Sequence, residues 1–128
     1  MRNKILLIED EEMIVGLYEE AFKKAGFEIQ SLRTGNQAIE AIREIREGKR
    51  ERPDLILLDL ILPDIEGTEV LKEFKKYPET KDIFVFVLTN YPNSRLKKEL
   101  EKEGIDKFLV KVDYTPSQLI KIVKETLK

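Results

Sequence analysis

Cysteine, histidine and tryptophan are all absent from the 128 residues of this chain. Without cysteine the protein has no disulfide bonds and no thiolate metal sites. Without histidine it lacks the imidazole on which most serine, cysteine and zinc chemistry depends. Any functional site in this protein must therefore be built from carboxylates, hydroxyls and ammonium groups.

The chain also lacks a marked excess of one charge and a long apolar run. The 23 lysines and arginines stand against 25 aspartates and glutamates, whereas a domain that binds a nucleic acid backbone is expected to be basic. The first apolar run has only four residues before an acidic cluster, too few for a signal peptide or a membrane span. We expect a cytoplasmic protein with no direct contact to nucleic acid or membrane.

Short runs of Ile, Leu, Val and Phe alternate with longer stretches of helical period. The runs predict strands at 4–8, 27–32, 54–58, 83–88 and 107–110, and the stretches predict helices at 12–25, 35–47, 67–77, 93–103 and 116–127. Strict alternation of strand and helix predicts a doubly wound α/β fold, with a five-stranded parallel sheet covered by helices on both faces, as in flavodoxin. We expect residues 1–128 to form one domain with no output domain.

The predicted helices differ in how well they are marked. Thr34 with Gln37 and Thr115 with Gln118 are spaced as capping boxes at the starts of the second and fifth helices. The fourth helix offers little to a core and is expected to be the least firmly anchored. The apolar residues that predict the buried faces of the first, second and fourth helices are Ile14, Leu17, Tyr18, Ala21 and Ala25, then Ala38, Ala41, Ile42 and Ile45, then Leu96 and Leu100.

Reactive side chains directly follow four of the five predicted strands. Glu9 and Asp10 follow the first, Asp59 the third, Thr89 the fourth and Lys111 the fifth. In a doubly wound sheet the carboxyl ends of the strands line the ligand crevice, so these residues are expected to converge. Three carboxylates beside one lysine would repel one another unless a cation offsets their charge. A few hard oxygen ligands with room for water favour Mg²⁺ over Ca²⁺.

Two kinds of phosphate chemistry can be tested against the same sequence. Neither the P-loop motif nor the dinucleotide motif G-x-G-x-x-G occurs, which argues against a nucleotide-binding loop. A phosphohydrolase with an aspartyl nucleophile needs a second acid two residues after Asp59, where this chain has Ile61. The site is therefore expected to accept a group without efficient turnover, as a switch does and an enzyme does not.

Four motifs in order, ILLIEDEE, LILLDLILPDIEG, VLTN and FLVK, resemble the receiver domain of two-component response regulators, in particular the stand-alone receivers similar to chemotaxis regulators. The resemblance spans nearly the whole chain. It implies that Asp59 accepts a phosphoryl group from the phosphohistidine of a histidine kinase or a phosphotransfer protein. It also implies that Mg²⁺ is held by Glu9, Asp10, Asp59 and the backbone carbonyl of Ile61.

The resemblance implies further roles near the last two strands. Thr89 and Lys111 would contact the phosphoryl oxygens, and Thr89 and Phe108 would form the switch that reports phosphorylation. A downstream protein partner would bind the surface made by helix 93–103, strand 107–110 and helix 116–127. The oligomeric state stays open, a homodimer included.

The chain departs from the family pattern at several positions near the site. Val112 follows Lys111 where the family usually has a proline after a cis peptide bond, and Asn90 stands where the family prefers alanine or glycine. Ile61, Asn90 and Tyr91 occupy positions that tune the approach of water, and we expect them to make hydrolysis of an aspartyl phosphate slow. Val112 and Asn90 also leave open a second hypothesis, a receiver-like interaction module that acts without phosphorylation.

Overall fold

The computed structural model describes residues 2–128, and within them strands and helices alternate along the chain. The strands are β1 (Lys4–Ile8), β2 (Glu28–Leu32), β3 (Leu55–Asp59), β4 (Phe84–Thr89) and β5 (Lys107–Val110). The α-helices are α1 (Glu12–Lys24), α2 (Gly35–Arg46), α3 (Gly67–Lys76), α4 (Ser94–Glu103) and α5 (Pro116–Thr126). Every predicted strand and helix is present, with ends that differ from the prediction by about one residue.

The five strands form one parallel sheet in the order β2-β1-β3-β4-β5. Helices α1 and α5 pack on one face through Val15, Phe22 and Val123, while α2, α3 and α4 pack on the other. Because both faces are covered, the central strand β3 is buried at every residue, which explains the apolar run of four residues that precedes Asp59. The prediction of a flavodoxin-like doubly wound fold is confirmed.

The predicted buried face of α1 is wrong at Leu17, which is 51% exposed. Tyr18 is buried as predicted, and Ile14, Ala21 and Ala25 are partly buried against the core, while Val15 and Phe22 are buried residues that the prediction missed. The first turns of α1 carry apolar residues on several sides, so the helical period alone was compatible with two faces. The predicted buried face of α2 is confirmed, since Ala38, Ala41, Ile42 and Ile45 are all buried there.

The predicted helix starts also hold. Thr34 and Thr115 each form the full capping box, with the side chain of Gln37 or Gln118 returning to the backbone of the capping residue. Helix α4 packs less firmly than the other helices on its face, as predicted, because Leu100 is the one fully buried residue of Ser94–Glu103.

Among residues 2–128, no helix combines the length and the apolar character that crossing a membrane would require.

Candidate functional site

The sheet brings the predicted site residues to its carboxyl edge. Glu9 follows β1, Asp59 and Thr89 end β3 and β4, and Lys111 follows β5, and these strands are neighbours in the sheet. Glu9 is 1% exposed, and Asp59 and Thr89 are also buried, while Asp10 is exposed. The site thus consists of two buried carboxylates, a buried hydroxyl, and one carboxylate open to solvent.

The three carboxylates form one cluster. Glu9, Asp10 and Asp59 each offer an oxygen that lies within 4.8 Å of the other two. Lys111 joins them, since its Nζ lies 2.5 Å from Glu9 Oε1 and 3.2 Å from Asp59 Oδ2. Of the predicted metal and phosphoryl contacts, the structure therefore brings these four side chains together.

Lys111 reaches the cluster without the proline that usually follows this lysine in the family. No cis peptide bond occurs within residues 2–128, so the bond between Lys111 and Val112 is trans. A short 3-10 helix, η1 (Lys111–Asp113), begins at the lysine. It was not predicted from the sequence, because three residues carry no recognisable period.

Burial and charge set the protonation of this cluster. Desolvation raises the pKa of Glu9 from 4.5 to about 7; the charge of Asp59 adds to the rise, and the hydrogen bond from Lys111 opposes it. Desolvation lowers the pKa of Lys111, but the hydrogen bond with Glu9 and the charge of Asp59 outweigh it, so that pKa is raised overall. Lys111 therefore stays an ammonium ion and neutralises part of the negative charge.

The cluster fits a divalent cation of the magnesium type. Its donors are all oxygens, and one ammonium faces three carboxylates, which leaves the ionised site negative. Mg²⁺ prefers a small set of carboxylate ligands and keeps some of its water. The exposed Asp10 gives the cluster a side open to that water.

The loop after β3 lies against the phosphoacceptor candidate. The backbone N–H of Ile61 donates to Asp59 Oδ1 at 3.1 Å, and the N–H of Gly67 donates to the carbonyl of Leu60 at 2.8 Å. A Cβ on Gly67 would lie 2.5 Å from the Cα of Leu60. Only glycine therefore lets α3 begin this close to the end of β3.

The residues predicted to switch or to tune the site lie around its edge. Thr89 Oγ1 accepts a hydrogen bond from the N–H of Tyr91 at 3.1 Å. The side chains of Ile61 and Tyr91 are exposed, as is Asn90. Phe108 is half-buried in β5, paired in register with Val87, and packs against the core on the face covered by α2, α3 and α4. Its place is that of a core residue, and the switch role stays a prediction.

One exposed apolar residue at the same edge of the sheet was not singled out from the sequence, and another was noted only as a departure from the family pattern. The first is Met13, at the start of α1, which is 84% exposed, and the second is Val112, after Lys111, which is also largely exposed. With Ile61 and Tyr91 they place a large apolar side chain after four of the five strands. We call these four residues the apolar rim. A sequence signal could have identified Met13. It is a large apolar residue that stands next to acidic residues and off the buried face of its helix.

Comparison with known proteins decides the family. Residues 5–124 match the response regulator receiver domain. This chain belongs to that family. The receiver domain is 30% identical over 129 residues to the alkaline phosphatase synthesis transcriptional regulatory protein PhoP of Bacillus subtilis, and the match covers all of this chain but 50% of that relative. The chain thus spans about half the length of that relative.

Solved structures agree with this assignment. The phosphorylated cyanobacterial phytochrome response regulator RcpA is 34% identical, with a TM-score of 0.83 over 98% of this chain and 91% of that one. The Mn²⁺-bound form of the response regulator Rcp1 is 33% identical, with a TM-score of 0.81 over 96% of this chain and 90% of that one. The predicted resemblance is confirmed, and the acidic cluster is typical of the phosphoacceptor site of a receiver domain.

Proposed function

We propose that this receiver domain is a phosphoacceptor switch in which Asp59 takes a phosphoryl group in a Mg²⁺-dependent reaction. The observation that carries the proposal is the setting of the Asp59 carboxylate. Its Oδ1 accepts the N–H of Ile61, its Oδ2 faces the Lys111 ammonium, and the carboxylates of Glu9 and Asp10 lie within 4.8 Å. A nucleophile, a positive group and cation ligands are thus assembled at one edge of the sheet.

The transfer breaks the bond from phosphorus to the donor's imidazole nitrogen and forms one to a carboxylate oxygen of Asp59. Charge on the three equatorial phosphoryl oxygens must then be stabilised. Lys111 supplies a positive charge for one of them. The hydroxyl of Thr89 accepts from the N–H of Tyr91, which leaves its own proton for donation to another.

Mg²⁺, when bound, would neutralise further charge on the transferred group. Glu9, Asp10 and Asp59 would hold it with the backbone carbonyl of Ile61. Because the Glu9 carboxylate must be ionised to serve as a ligand, its raised pKa makes cation binding stronger as the pH rises through about 7.

The apolar rim supports a protein as phosphoryl donor. Any donor has to bring its phosphohistidine to Asp59, and a protein that did so would cover the rim. The four rim side chains are exposed at the edge that a donor must approach, so they are available for apolar contact with it. We therefore propose a histidine kinase or a phosphotransfer protein as donor, and a downstream protein that reads the surface of α4, β5 and α5.

Labelling with a small phosphodonor tests the proposal. The protein is incubated with acetyl phosphate, with and without Mg²⁺, and intact mass spectrometry followed by peptide mapping locates the phosphate. We expect labelling only with Mg²⁺, and only at Asp59. Asp59→Asn should take no label, whereas Asp82→Asn, a change to an exposed aspartate at the opposite end of the sheet, should be labelled normally.

The same experiment distinguishes the second hypothesis. Undiminished labelling of Asp59→Asn would refute Asp59 as the phosphoacceptor. A wild-type protein that is labelled under none of these conditions would instead favour an interaction module that acts without phosphorylation.

A further inference from the structure

Asp64, in the loop between β3 and α3, contacts the start of a helix that is distant in the sequence. Its Oδ1 accepts the N–H of Gly35 at 2.8 Å, and its Oδ2 accepts the N–H of Asn36 at 2.7 Å. Gly35 and Asn36 are the first two residues of α2. The first N–H groups of a helix have no partner within the helix, so a carboxylate from another segment can use both of them.

We propose that Asp64 is a positioning residue for the cation site: it fastens the loop of residues 60–66 to the start of α2 and thereby holds the backbone carbonyl of Ile61 where Mg²⁺ needs it. The inference rests on the proposed function, because that function supplies the cation. It adds a residue outside the acidic cluster, to which neither the sequence motifs nor the carboxylate geometry assigns a role.

Asp64 provides the hydrogen bonds that join the middle of this loop to α2, beside an apolar contact made by Ile65. Ile61 is fixed on one side by the hydrogen bond from its N–H to Asp59, and the end of the loop is fixed by Gly67 against Leu60. Between these points Ile65 packs so closely on α2 that a Cβ on Gly35 would lie 2.1 Å from its Cγ1. Glycine at position 35 therefore admits the loop, and Asp64 binds it there.

Charge favours the same arrangement. Desolvation raises the pKa of Asp64, but hydrogen bonds from four backbone N–H groups, those of Asn36, Gly35, Ile65 and Asp64 itself, together outweigh it and hold that pKa below its ordinary value. An ionised carboxylate at the positive end of α2 makes the stronger kind of hydrogen bond. The loop is thus attached to a helix that is itself well buried.

The start of α2 supplies a matched control. Thr34 caps the same helix by accepting the N–H of Gln37 at 3.0 Å, but it makes no hydrogen bond to the loop of residues 60–66. Removal of either cap should cost the helix a similar amount of stability. Of the two changes, only removal of Asp64 takes away hydrogen bonds between the loop and α2. A purely structural role and a positioning role therefore predict different results.

The experiment compares Asp64→Ala, Asp64→Asn and Thr34→Ala with the wild type, all without phosphodonor. Mg²⁺ affinity is measured by calorimetry and by following the N–H resonances of Asp10 and Ile61 in a magnesium titration. Groups that orient metal ligands typically contribute about 10–100-fold to affinity; Asp64 is exposed, so we expect Asp64→Ala to weaken binding roughly three- to tenfold. Asp64→Asn, which can still accept one N–H, should lie between Asp64→Ala and the wild type, and Thr34→Ala should bind Mg²⁺ like the wild type.

Unchanged affinity in Asp64→Ala, an equal loss in Thr34→Ala, or a wild type that binds no Mg²⁺ would each overturn the inference. If Asp64→Ala fails to fold, Asp64→Asn against Thr34→Ala makes the same comparison. A wild type that binds Mg²⁺ but takes no phosphate would refute the proposed function and leave the role of Asp64 standing.

Discussion

Helices α2 and α4 cover the same face of the sheet but are held there very differently. α2 buries a continuous stripe that includes Ala38, Ile42 and Ile45, and both Thr34 and Asp64 cap its start. α4 has one fully buried residue, Leu100, and its other sides are mostly charged and exposed. A segment with few buried apolar contacts opens at low cost in free energy. We conclude that α2 is suited to anchor the site and α4 to respond to it.

The functional side chains also fall into two groups, one next to α2 and one next to α4. Asp59 precedes the loop that is attached to α2, whereas Thr89 and Phe108 stand in the strands before and after α4. Lys111 follows β5 and reaches back to Glu9 and Asp59. A phosphoryl group on Asp59 that recruits Thr89 and Lys111 would therefore alter contacts next to the weakly held helix.

The largest expected difference concerns the stability that each helix contributes. Ile42→Ala and Leu100→Ala each remove a nearly fully buried aliphatic side chain, a change that typically costs about 2–5 kcal/mol. We expect Ile42→Ala to lower the free energy of unfolding by about 3 kcal/mol. For Leu100→Ala we expect about half as much, because α4 can detach locally while the rest stays folded. Urea denaturation followed by circular dichroism measures both.

Hydrogen exchange of the same two variants provides the control. Leu100→Ala should speed exchange mainly in Ser94–Glu103, and Ile42→Ala should speed it throughout the core. Equal losses of stability, with no exchange confined to α4, would contradict the contrast between the helices.

The next expected effect is a pH dependence of the free energy of unfolding, caused by the titration of Glu9. The pKa of Glu9 is raised from 4.5 to about 7 in the folded protein, chiefly by desolvation, so the folded state binds this proton more tightly than the unfolded chain. The resulting stability is fully present below pH 4.5 and is lost as the pH rises through about 7. Without metal, we expect unfolding free energy to fall by on the order of 2 kcal/mol between pH 5 and pH 8.

Glu9→Gln should remove most of this dependence, while Glu125→Gln, an exposed change on α5, should retain it. Mg²⁺ should restore stability to the wild type above pH 7 but not below pH 5, where Glu9 is protonated. Thermal unfolding in buffers of matched ionic strength checks these points; the same slope in Glu9→Gln would mean that another group titrates.

A smaller effect is expected when the protein is phosphorylated. Exchange rates should change between about residues 89 and 112, by about tenfold or less, which corresponds to about 1.4 kcal/mol, and those of α2 should stay constant. Lys111→Ala should still bind Mg²⁺ but lose this response, because it removes the positive contact to the phosphoryl group. Lys121→Ala, a change to an exposed lysine of α5, should respond normally. A response confined to α1 and α2 would be incompatible with the proposed switch.

The smallest effect should be on the lifetime of the phosphate. The exposed side chains of Ile61 and Tyr91 flank the site on the α3 and α4 sides, and neither carries a carboxylate or an amide. Ile61→Asn and Tyr91→Glu should each speed release of phosphate from the labelled protein, because a polar group there can orient water. If neither does, the proposed shielding is wrong, and Asn90 becomes the next residue to replace.

The fold and the acidic cluster could be predicted because both follow from the chain's alternation of strand and helix. In a parallel sheet, the residues at the ends of the strands meet at one edge. The grouping of Glu9, Asp59 and Lys111 could therefore be predicted from their positions in the sequence alone. The contact of Asp64 with Gly35 could not be predicted in this way. It joins residues 29 positions apart through a loop that has no period, and its geometry depends on how α2 and α3 pack.

The contact of Lys111 with Glu9 and Asp59 also has a bearing on how the domain would behave in a cell. A magnesium ion that enters the cluster meets carboxylates already engaged by an ammonium group, with Nζ only 2.5 Å from Glu9 Oε1. Binding is then an exchange of one cation for another, and the gain in free energy is smaller than three unpaired carboxylates would provide. We therefore expect the fraction of domains that are ready for phosphorylation to depend on the magnesium concentration around them.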